Sequence, residues 1–358
     1  MKELKKNKIV LGLSGGVDST TAALLLKKKG FEVIGFYFDV LGNNINGKNE
    51  AEQVAKQLGI KLVSKDVSKA FEEIVIGNFC DEYINGRTPN PCVICNPNIK
   101  FKELIDVANS EDAYYIATGH YANIFYDELE ELYYIQKGTN ERKDQSYMLY
   151  RLGQEVLSRL MLPLGNIINK ENTRNIAREN NLLNADKKDS QEICFIDNEK
   201  DDYVSYILNK GLSSKKGNFI DKNGKILGQH KGLINYTVGQ RKGLGIALGK
   251  QAFVTKINSK TNEIVLGDNE ELLTDKVISR NNFFTKNSCD EFPVEYEGKK
   301  IKAKIRYAAK PSCAKIYRGK DGTVVSEFEE KQRAATGGQS IVFYDGDCVI
   351  GGGFIVNE

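Results

Sequence analysis

A glycine-rich segment near the start of the chain has the residue types that bind phosphate. Residues 14–19 read Ser-Gly-Gly-Val-Asp-Ser, directly after the apolar run 9–13. Glycines let the backbone turn so that successive N–H groups face an anion, and a following helix adds its positive end. Ser14 and Ser19 add hydroxyl donors, and Asp18 can hold a Mg²⁺ ion that binds phosphate. The pattern favours a phosphate-binding site over its alternative, an ordinary capped strand–helix turn.

Three of the seven cysteines lie in polar segments. Cys92 and Cys95 fall in residues 88–96, which we expect to form a proline-containing loop before a helix that opens at 98–101. Cys194 follows 99 positions after Cys95. Because the thiolate is the reactive form of cysteine, two separated thiols in one α/β domain fit sulfur transfer. One thiol would carry a persulfide and the other would resolve the intermediate.

Other interpretations of the cysteines remain open. The spacing C-x-x-C is half of a zinc pattern, but the chain has no second C-x-x-C, and its histidines are His120 and His230. Cys194 alone would be a typical core residue. The remaining four are most simply small buried hydrophobes: Cys80, Cys289, Cys313 and Cys348.

The elements that must position these residues alternate between strand and helix up to about residue 205. The pattern predicts strands at 9–13, 33–38, 61–63 and 114–118 and helices at 20–29 and 50–58. Such alternation predicts a doubly wound parallel sheet, whose ligands bind at the carboxyl ends of strands where the strand order reverses.

The later part of the chain has short alternating strands and frequent glycines, which predict a small linker domain and then a β-barrel-like domain. We predict domains at 1–205, 206–275 and 276–358. Residues 299–320 contain nine Lys or Arg and no acid. In 300–307, Lys300, Lys302, Lys304 and Arg306 alternate with apolar residues, so we expect one basic strand face that contacts RNA phosphates, although a solvated face is the alternative.

Composition limits the functional classes. The chain has 358 residues, 41% hydrophobic and 28% charged, which excludes a disordered or collagen-like protein. Its net charge of +3 means that any basic footprint must be local. Seven cysteines are too few for a disulfide scaffold, and we find neither a signal peptide nor a run of about 18 apolar residues. We therefore expect a cytoplasmic protein that does not span a membrane.

The glycine-rich segment at residues 14–19 resembles the PP-loop of ATP pyrophosphatases, which adenylate an oxygen and release pyrophosphate. Further motifs occur in the order found in the bacterial tRNA-specific 2-thiouridylases, and the resemblance runs nearly end to end. These motifs are Gly86–Pro91, Ala117–Tyr121, Lys143–Tyr147, residues 189–195, Gly239–Gly245, Arg306–Tyr307 and Gly338–Ser340.

The resemblance implies a role for each matching residue. Cys194 would carry the persulfide and Cys95 would be the nucleophile that releases the modified base. ATP would be bound by Gly12, Leu13, Ser14, Gly15, Gly16, Val17, Asp18, Ser19, Phe38 and Gly119. The tRNA would be contacted by Asn90, Pro91, Cys92, His120, Lys143, Asp144, Gln145, Arg306, Tyr307 and Gln339. The implied partners are tRNA, a persulfide sulfur-donor protein and an external thiol reductant.

One position departs from the family pattern. The family usually has Asp after Asn-Pro, where this chain has Cys92. Cys92 either fills space or takes part in the sulfur chemistry. A minor alternative is a [4Fe–4S] cluster on Cys92, Cys95 and Cys194, with one iron open to a sulfide donor.

Two rival functions remain. One keeps the ATP site but adenylates a carboxylate, as an amide synthetase would, and leaves the Cys95/Cys194 pair unexplained. The other is a tRNA-binding protein with a degenerate nucleotide site, and intact Ser14 and Asp18 count against it.

Overall fold

The computed structural model describes residues 4–42, 44–187, 193–197, 201–249 and 251–356. The chain divides into two compact units. The first unit consists of Met1–Val75, Cys92–Gln191 and Asp347–Ile350. The second unit consists of Ile76–Pro91, Glu192–Gly346 and Gly351–Glu358.

A parallel sheet forms the centre of the first unit. The strands of this unit are β1 (Lys5–Gly12), β2 (Glu32–Asp39), β3 (Lys61–Asp66), β4 (Ala113–Ala117), β5 (Ala122–Asp127), β6 (Leu132–Lys137) and β7 (Leu160–Met161). The sheet has the order β3-β2-β1-β4-β7, and every neighbouring pair in it is parallel, whereas β5 and β6 form an antiparallel hairpin. Ile9, Val10 and Leu11 of β1 are fully buried, as expected for a central strand covered on both faces. The predicted α/β class and parallel sheet are confirmed.

The α-helices supply the covering layers and most of the connections. They are α1 (Val17–Lys28), α2 (Ile45–Leu58), α3 (Ser68–Phe71), α4 (Gly77–Ile84), α5 (Pro91–Cys95), α6 (Phe101–Ser110), α7 (Gln154–Leu157), α8 (Lys170–Glu179) and α9 (Tyr203–Asn209). Leu26 of α1, Val54 of α2 and Ala177 of α8 share one core with Ile9 and Leu11 of β1. α1 begins three residues before the predicted start, because residues 17–19 of the glycine-rich motif form its first turn.

The two thiols at 92 and 95 lie on a helix, so the prediction of a loop there is wrong. α5 continues into a π-helical turn at Asn96–Lys100 and then into α6. Pro91 is the first residue of α5, a position that tolerates proline because its N–H would have no helical partner. A second π-helical turn, Glu72–Ile76, joins α3 to α4.

A four-stranded sheet lies in the middle of the chain, within the second unit. Its strands are β8 (Gly217–Ile220), β9 (Ile226–His230), β10 (Phe253–Asn258) and β11 (Glu263–Gly267), in the order β10-β11-β8-β9. Phe219, Leu233, Tyr236, Val254 and Ile264 form the centre of its core.

The last six strands form a closed antiparallel barrel. They are β12 (Leu273–Phe284), β13 (Lys300–Lys304), β14 (Ser312–Arg318), β15 (Val324–Arg333), β16 (Ser340–Asp345) and β17 (Cys348–Ile355). Their order is β12-β15-β14-β13-β16-β17, and β17 also pairs with β12, which closes the cylinder. The predicted small middle module and terminal β-barrel-like module are confirmed.

The predicted basic strand face at 300–307 is only partly correct. Lys300 and Lys302 are exposed, but Lys304 is buried, with 7% of its surface exposed. β13 ends at Lys304, and Arg306 and Tyr307 lie in the following turn. The Lys304 ammonium lies 5.6 Å from the centroid of the Tyr307 ring, so a cation–π contact accommodates the buried charge.

Candidate active site

The carboxyl ends of β1 and β4 lie side by side at the point where the strand order reverses. β1 leads into the glycine-rich segment and α1, and β4 leads into Thr118, Gly119 and His120. Ligands of open α/β sheets bind at such a point. The fold therefore favours a ligand beside both predicted ATP-binding segments.

The loop between β1 and α1 has an open anion-binding geometry. Gly15 has a φ of +76°, and a Cβ at this position would lie 2.8 Å from a side-chain atom of α2. The hydroxyl oxygens of Ser14 and Ser19 are 3.2 Å apart. α1 has Gly16 as its N-cap and no side-chain capping bond, so first-turn N–H groups can bind a ligand.

The Asp18 carboxylate is held by donors from later parts of the chain. Its Oδ1 accepts hydrogen bonds from Lys170 Nζ and from the Tyr121 hydroxyl, both at 2.6 Å. Tyr121 in turn lies 2.9 Å from the Thr173 hydroxyl on α8. About a third of the Asp18 side chain is exposed, so the carboxylate remains accessible to a ligand.

Asn184 fastens the loop from its other side. Its Nδ2 donates to the Gly15 carbonyl at 2.8 Å and to the Thr20 hydroxyl at 2.6 Å. Only 9% of Asn184 is exposed, and its Oδ1 is buried without a hydrogen-bond partner. Because a buried acceptor without a partner destabilises the folded state, the position of Asn184 Oδ1 offsets part of the stability gained from the two Nδ2 hydrogen bonds.

Two glycines allow the close approach of the elements around the loop. A Cβ on Gly119 would lie 3.0 Å from the backbone of Asp18 and Ser19. A Cβ on Gly12 would lie 3.2 Å from Cζ of Phe38, whose ring is half-buried at the end of β2. The predicted ATP-binding residues of β1, β2 and β4 are therefore brought together by the fold.

This cradle fits a triphosphate and Mg²⁺. Glycine N–H groups, serine hydroxyls and one lysine suit phosphate oxygens, and the single carboxylate of Asp18 is enough because nucleotide-bound Mg²⁺ usually takes only one or two protein carboxylates. Among the described residues, no group of three or more His, Cys, Asp or Glu side chains forms a metal site.

The two thiols of α5 lie in different environments, one turn apart. Cys92 is exposed and Cys95 is half-buried. Burial raises the pKa of Cys95, the nearby Lys100 ammonium opposes that rise, and Cys92 adds to it. The π-helical turn starts immediately after Cys95, and such turns are frequent at functional sites. Cys95 is therefore mainly a neutral thiol until a base or higher pH activates it.

His120 is placed to act as a neutral group. Its Nδ1 lies 2.7 Å from the Thr118 hydroxyl, and its ring stacks on Phe101 with centroids 6.2 Å apart. Burial and the neighbouring Lys100 lower the pKa of His120 well below its usual value. A contact from His120 to RNA would thus be a hydrogen bond or a stacking contact.

The segment Lys143–Gln145 is tied inward. Asp144 is 6% exposed, and its carboxylate accepts from the Gly138 and Ser146 amides and from the Ser146 hydroxyl. Gln145 Oε1 accepts from the Tyr121 amide at 2.9 Å. The described bonds of Asp144 and Gln145 organise the backbone beside the ATP site, and an RNA contact from this segment remains a prediction.

Within the second unit, predicted tRNA contacts from distant parts of the sequence meet. Gln339 Nε2 donates to the carbonyl of Thr88 at 2.8 Å, and the Thr88 amide donates to the carbonyl of Gly337. Asn90 and Pro91 follow directly after this contact. Arg306 is exposed, and Tyr307 is half-buried in the turn after β13.

Cys194 lies in a short described turn of the second unit. Its side chain is exposed, whereas the adjacent Phe195 is buried against Phe79 and Tyr206 with ring centroids 5.2 and 5.4 Å away. Phe195 thus anchors the turn that presents the thiol. The neighbouring motif residues 189–192 lie outside the described residues.

Lys170, Tyr121 and Asn184 are site residues that sequence reasoning missed. Tyr121 was within a recognised motif without an assigned role, and Lys170 and Asn184 are 152 and 169 residues from their partners in the loop. The packing of α8 against α1 brings Lys170 to the phosphate loop, and Asn184 lies in the turn that follows α8.

The parallel α/β fold and the glycine-rich loop at its switch point are typical of nucleotide-binding proteins. A family model described as the tRNA methyl transferase HUP domain matches residues 7–198. Models described as the tRNA methyl transferase PRC-barrel domain and the aminomethyltransferase β-barrel domain match residues 205–268 and 283–355.

Full-length relatives are more specific. The tRNA-specific 2-thiouridylase MnmA of Clostridium acetobutylicum is 46% identical over 97% of this chain and 99% of its own length. The protein of the same name from Clostridioides difficile is 44% identical over 97% of this chain and 98% of its own length. The chain belongs to the tRNA-specific 2-thiouridylase family. Among its described residues, no helix is long and apolar enough to cross a membrane.

Proposed function

We propose that this chain catalyses the ATP-dependent 2-thiolation of the wobble uridine of tRNA, giving 2-thiouridine, AMP and pyrophosphate. The observation that carries the proposal is the glycine-rich loop at the switch point, with its serines, Asp18 and Lys170 around the open end of α1. The full-length relatives, which are named as tRNA-specific 2-thiouridylases, supply the substrate class.

The first chemical step activates the uracil. The C2 oxygen is a poor leaving group, and transfer of AMP to this oxygen makes it a good one. The N–H groups of the loop, Ser14, Ser19 and Lys170 stabilise the charge on the departing pyrophosphate. Mg²⁺ held by Asp18 would supply further charge neutralisation.

The second step transfers sulfur. The terminal sulfur of a Cys194 persulfide attacks C2, AMP leaves, and an adduct with a C2–S–S–Cys194 linkage forms. The Cys95 thiolate then attacks the Cys194 sulfur, and the electron pair of the broken S–S bond stays on the sulfur attached to C2. The products are 2-thiouridine and a Cys95–Cys194 disulfide, which an external thiol reductant returns to two thiols. A persulfide-donating protein reloads Cys194.

The target base must leave its stack to reach ATP and both thiols. We propose that the tRNA is held by the predicted contact residues, with Asn90, Pro91, Cys92 and His120 nearest to the base and Arg306, Tyr307 and Gln339 on the second unit. The same proposal includes domain boundaries at 205 and 275 and a cytoplasmic location. It also includes a role for Cys92 beside the two thiols.

Incubation of the protein with tRNA, ATP–Mg²⁺ and a persulfide source, followed by mass spectrometry of the nucleosides, tests the function. We expect 2-thiouridine from the wild type and none from Cys95→Ala or Cys194→Ala, while both variants keep ATP binding. Full thiolation by either variant contradicts the assigned thiols. Pyrophosphate exchange that requires a small carboxylic acid instead of tRNA favours the amide-synthetase alternative.

A further inference from the structure

Positive charge is concentrated in the middle of the chain. Residues 205–268 contain eleven Lys or Arg against three Asp or Glu, whereas the whole chain has an excess of only three positive charges. The proposed RNA contacts given above include no residue of this segment. An excess of this size, in a module of about sixty residues, forms a local electrostatic footprint for a polyanion.

Four exposed lysines of the module belong to segments that meet at one end of its sheet. Lys215 and Lys216 precede β8, Lys231 follows β9, and Lys260 lies in the turn between β10 and β11. Gly217 pairs with His230 across the antiparallel β8–β9 ladder, which places the first three lysines at the same end. We name Lys215, Lys216, Lys231 and Lys260 the lysine cluster.

A buried histidine and an asparagine hold the segments of the lysine cluster together. His230 is 1% exposed, its Nε2 lies 3.1 Å from the Asn262 carbonyl, and its Nδ1 accepts from the Gly232 amide at 3.0 Å. The Asn262 side chain donates to the Lys216 carbonyl at 2.9 Å. Hydrogen bonds of His230 and Asn262 therefore join the three backbone segments that carry the lysines.

None of the four lysines has an ion-pair partner within the described part of the chain. The nearest acidic residue in sequence, Glu263, accepts a hydrogen bond from the Thr261 hydroxyl at 2.6 Å. In contrast, Lys61, Lys65, Lys276 and Lys286 each lie within 3.2 Å of a glutamate oxygen. Unpaired ammonium groups carried by neighbouring segments attract an anion, because no acidic side chain neutralises them.

We propose that the lysine cluster binds the phosphate backbone of the tRNA substrate. The proposal rests on the proposed function and extends the RNA-binding surface to the middle module. An acidic protein surface is a weaker match, because protein interfaces rely on aromatic or large apolar anchors. The residues flanking the lysines are small and polar: Ser213, Ser214, Ser259 and Thr261.

Salt-dependent tRNA binding tests the lysine cluster. A variant with all four lysines changed to Gln is compared with wild type and with a control in which Lys61, Lys65, Lys276 and Lys286 are changed to Gln. Both variants lose four positive charges, but only the first loses unpaired ones. We expect the first variant to bind tRNA at least about tenfold more weakly at low salt, with a slope of log K against log salt that is reduced by about 3, and the control to stay near wild type.

A variant with the four lysines changed to Arg keeps the charge and is expected to keep the affinity and slope. Equal affinities and slopes for the Gln variant and the control overturn the proposal. The proposal is also overturned if the Gln variant loses only the thiolation that depends on a sulfur-donor protein and keeps thiolation with a small-molecule persulfide, because the cluster would then bind an acidic protein. Absence of tRNA binding by the wild type instead contradicts the proposed function itself.

Discussion

Lys170 donates a 2.6 Å hydrogen bond to Oδ1 of Asp18, so that the first residue of α8 is paired with the first turn of α1. A lysine at the positive end of two helices is electrostatically unfavourable unless an anion lies beside it. Asp18 supplies that anion in the free protein. We propose that the phosphates of ATP would replace Asp18 as the partner of Lys170 if Asp18 held Mg²⁺.

We predict that Lys170→Met weakens ATP–Mg²⁺ binding by about 10- to 100-fold, the effect of losing a hydrogen bond to a charged group. Isothermal titration calorimetry measures the change, and Lys170→Arg is expected to retain part of the affinity. Arg178→Met on the same helix, whose guanidinium pairs with Glu171 and Asp186, is the control. Equal ATP affinities for Lys170→Met and Arg178→Met would show that Lys170 pairs with Asp18 in the free protein but does not bind ATP.

Asn184→Ala is predicted to loosen the phosphate loop, because it removes both side-chain hydrogen bonds to residues 15 and 20. We expect a loss of about 1–3 kcal/mol in the free energy of unfolding and weaker ATP binding. Asn180→Ala serves as the control, since the Asn180 side chain donates to the carbonyl of Ile176 on α8 and not to the loop. Urea unfolding and ATP titration check both effects, and an unchanged ATP affinity in a destabilised protein would limit Asn184 to a structural role.

The raised pKa of Cys95 predicts the pH dependence of the resolving step. Because only the thiolate attacks, the rate of S–S cleavage should rise with pH through a midpoint above the ordinary cysteine value of about 8.5. Lys100→Met removes the cation that opposes the rise, so its midpoint should lie at higher pH than that of wild type. Single-turnover release of thiolated tRNA measures the profile.

The exposed Lys102, two residues after Lys100, provides the matched control for this profile. Lys102→Met is expected to leave the midpoint unchanged. If wild type and Lys100→Met have the same midpoint, the pH dependence of release does not report the ionisation of Cys95.

His230 predicts an acid sensitivity of the middle sheet. Burial lowers the pKa of His230, so the unfolded state binds more protons than the folded state below the ordinary histidine value of about 6.5. Its stabilising contribution is complete above that pH and is lost as the pH falls towards the lowered pKa. Hydrogen exchange of residues 217–232, corrected for intrinsic rates, should show faster opening at pH 5.5 than at pH 7.5.

His230→Gln is expected to remove most of this difference, because glutamine does not titrate. Opening rates that change equally with pH in wild type and His230→Gln would assign the acid sensitivity to other groups. The exchange measurement is local, which matters because His120 also has a lowered pKa and lies in the first unit.

Local patterns predicted the strand, loop and helix of the phosphate site, because these follow one another directly in the sequence. The hydrogen bonds from Lys170 and Asn184 to the phosphate loop and α1 were not predictable, since they depend on how α8 and the turn after it pack. The prolines before Cys92 indicated a loop. Pro91 instead starts a helix, where the missing N–H of proline carries no penalty. The period-two pattern placed Lys304 on a solvent face, but β13 ends there and Tyr307 covers its charge.

The pairing of β17 with β12 has a consequence for how the barrel is made. β12 is the first strand of the cylinder and β17 is the last, so no partial chain can complete the hydrogen-bond ring. Until β17 emerges from the ribosome, β12 keeps one unpaired edge that other chains can join. Because the ring closes through strands at opposite ends of the module, folding of the barrel depends on non-local pairing, which slows it.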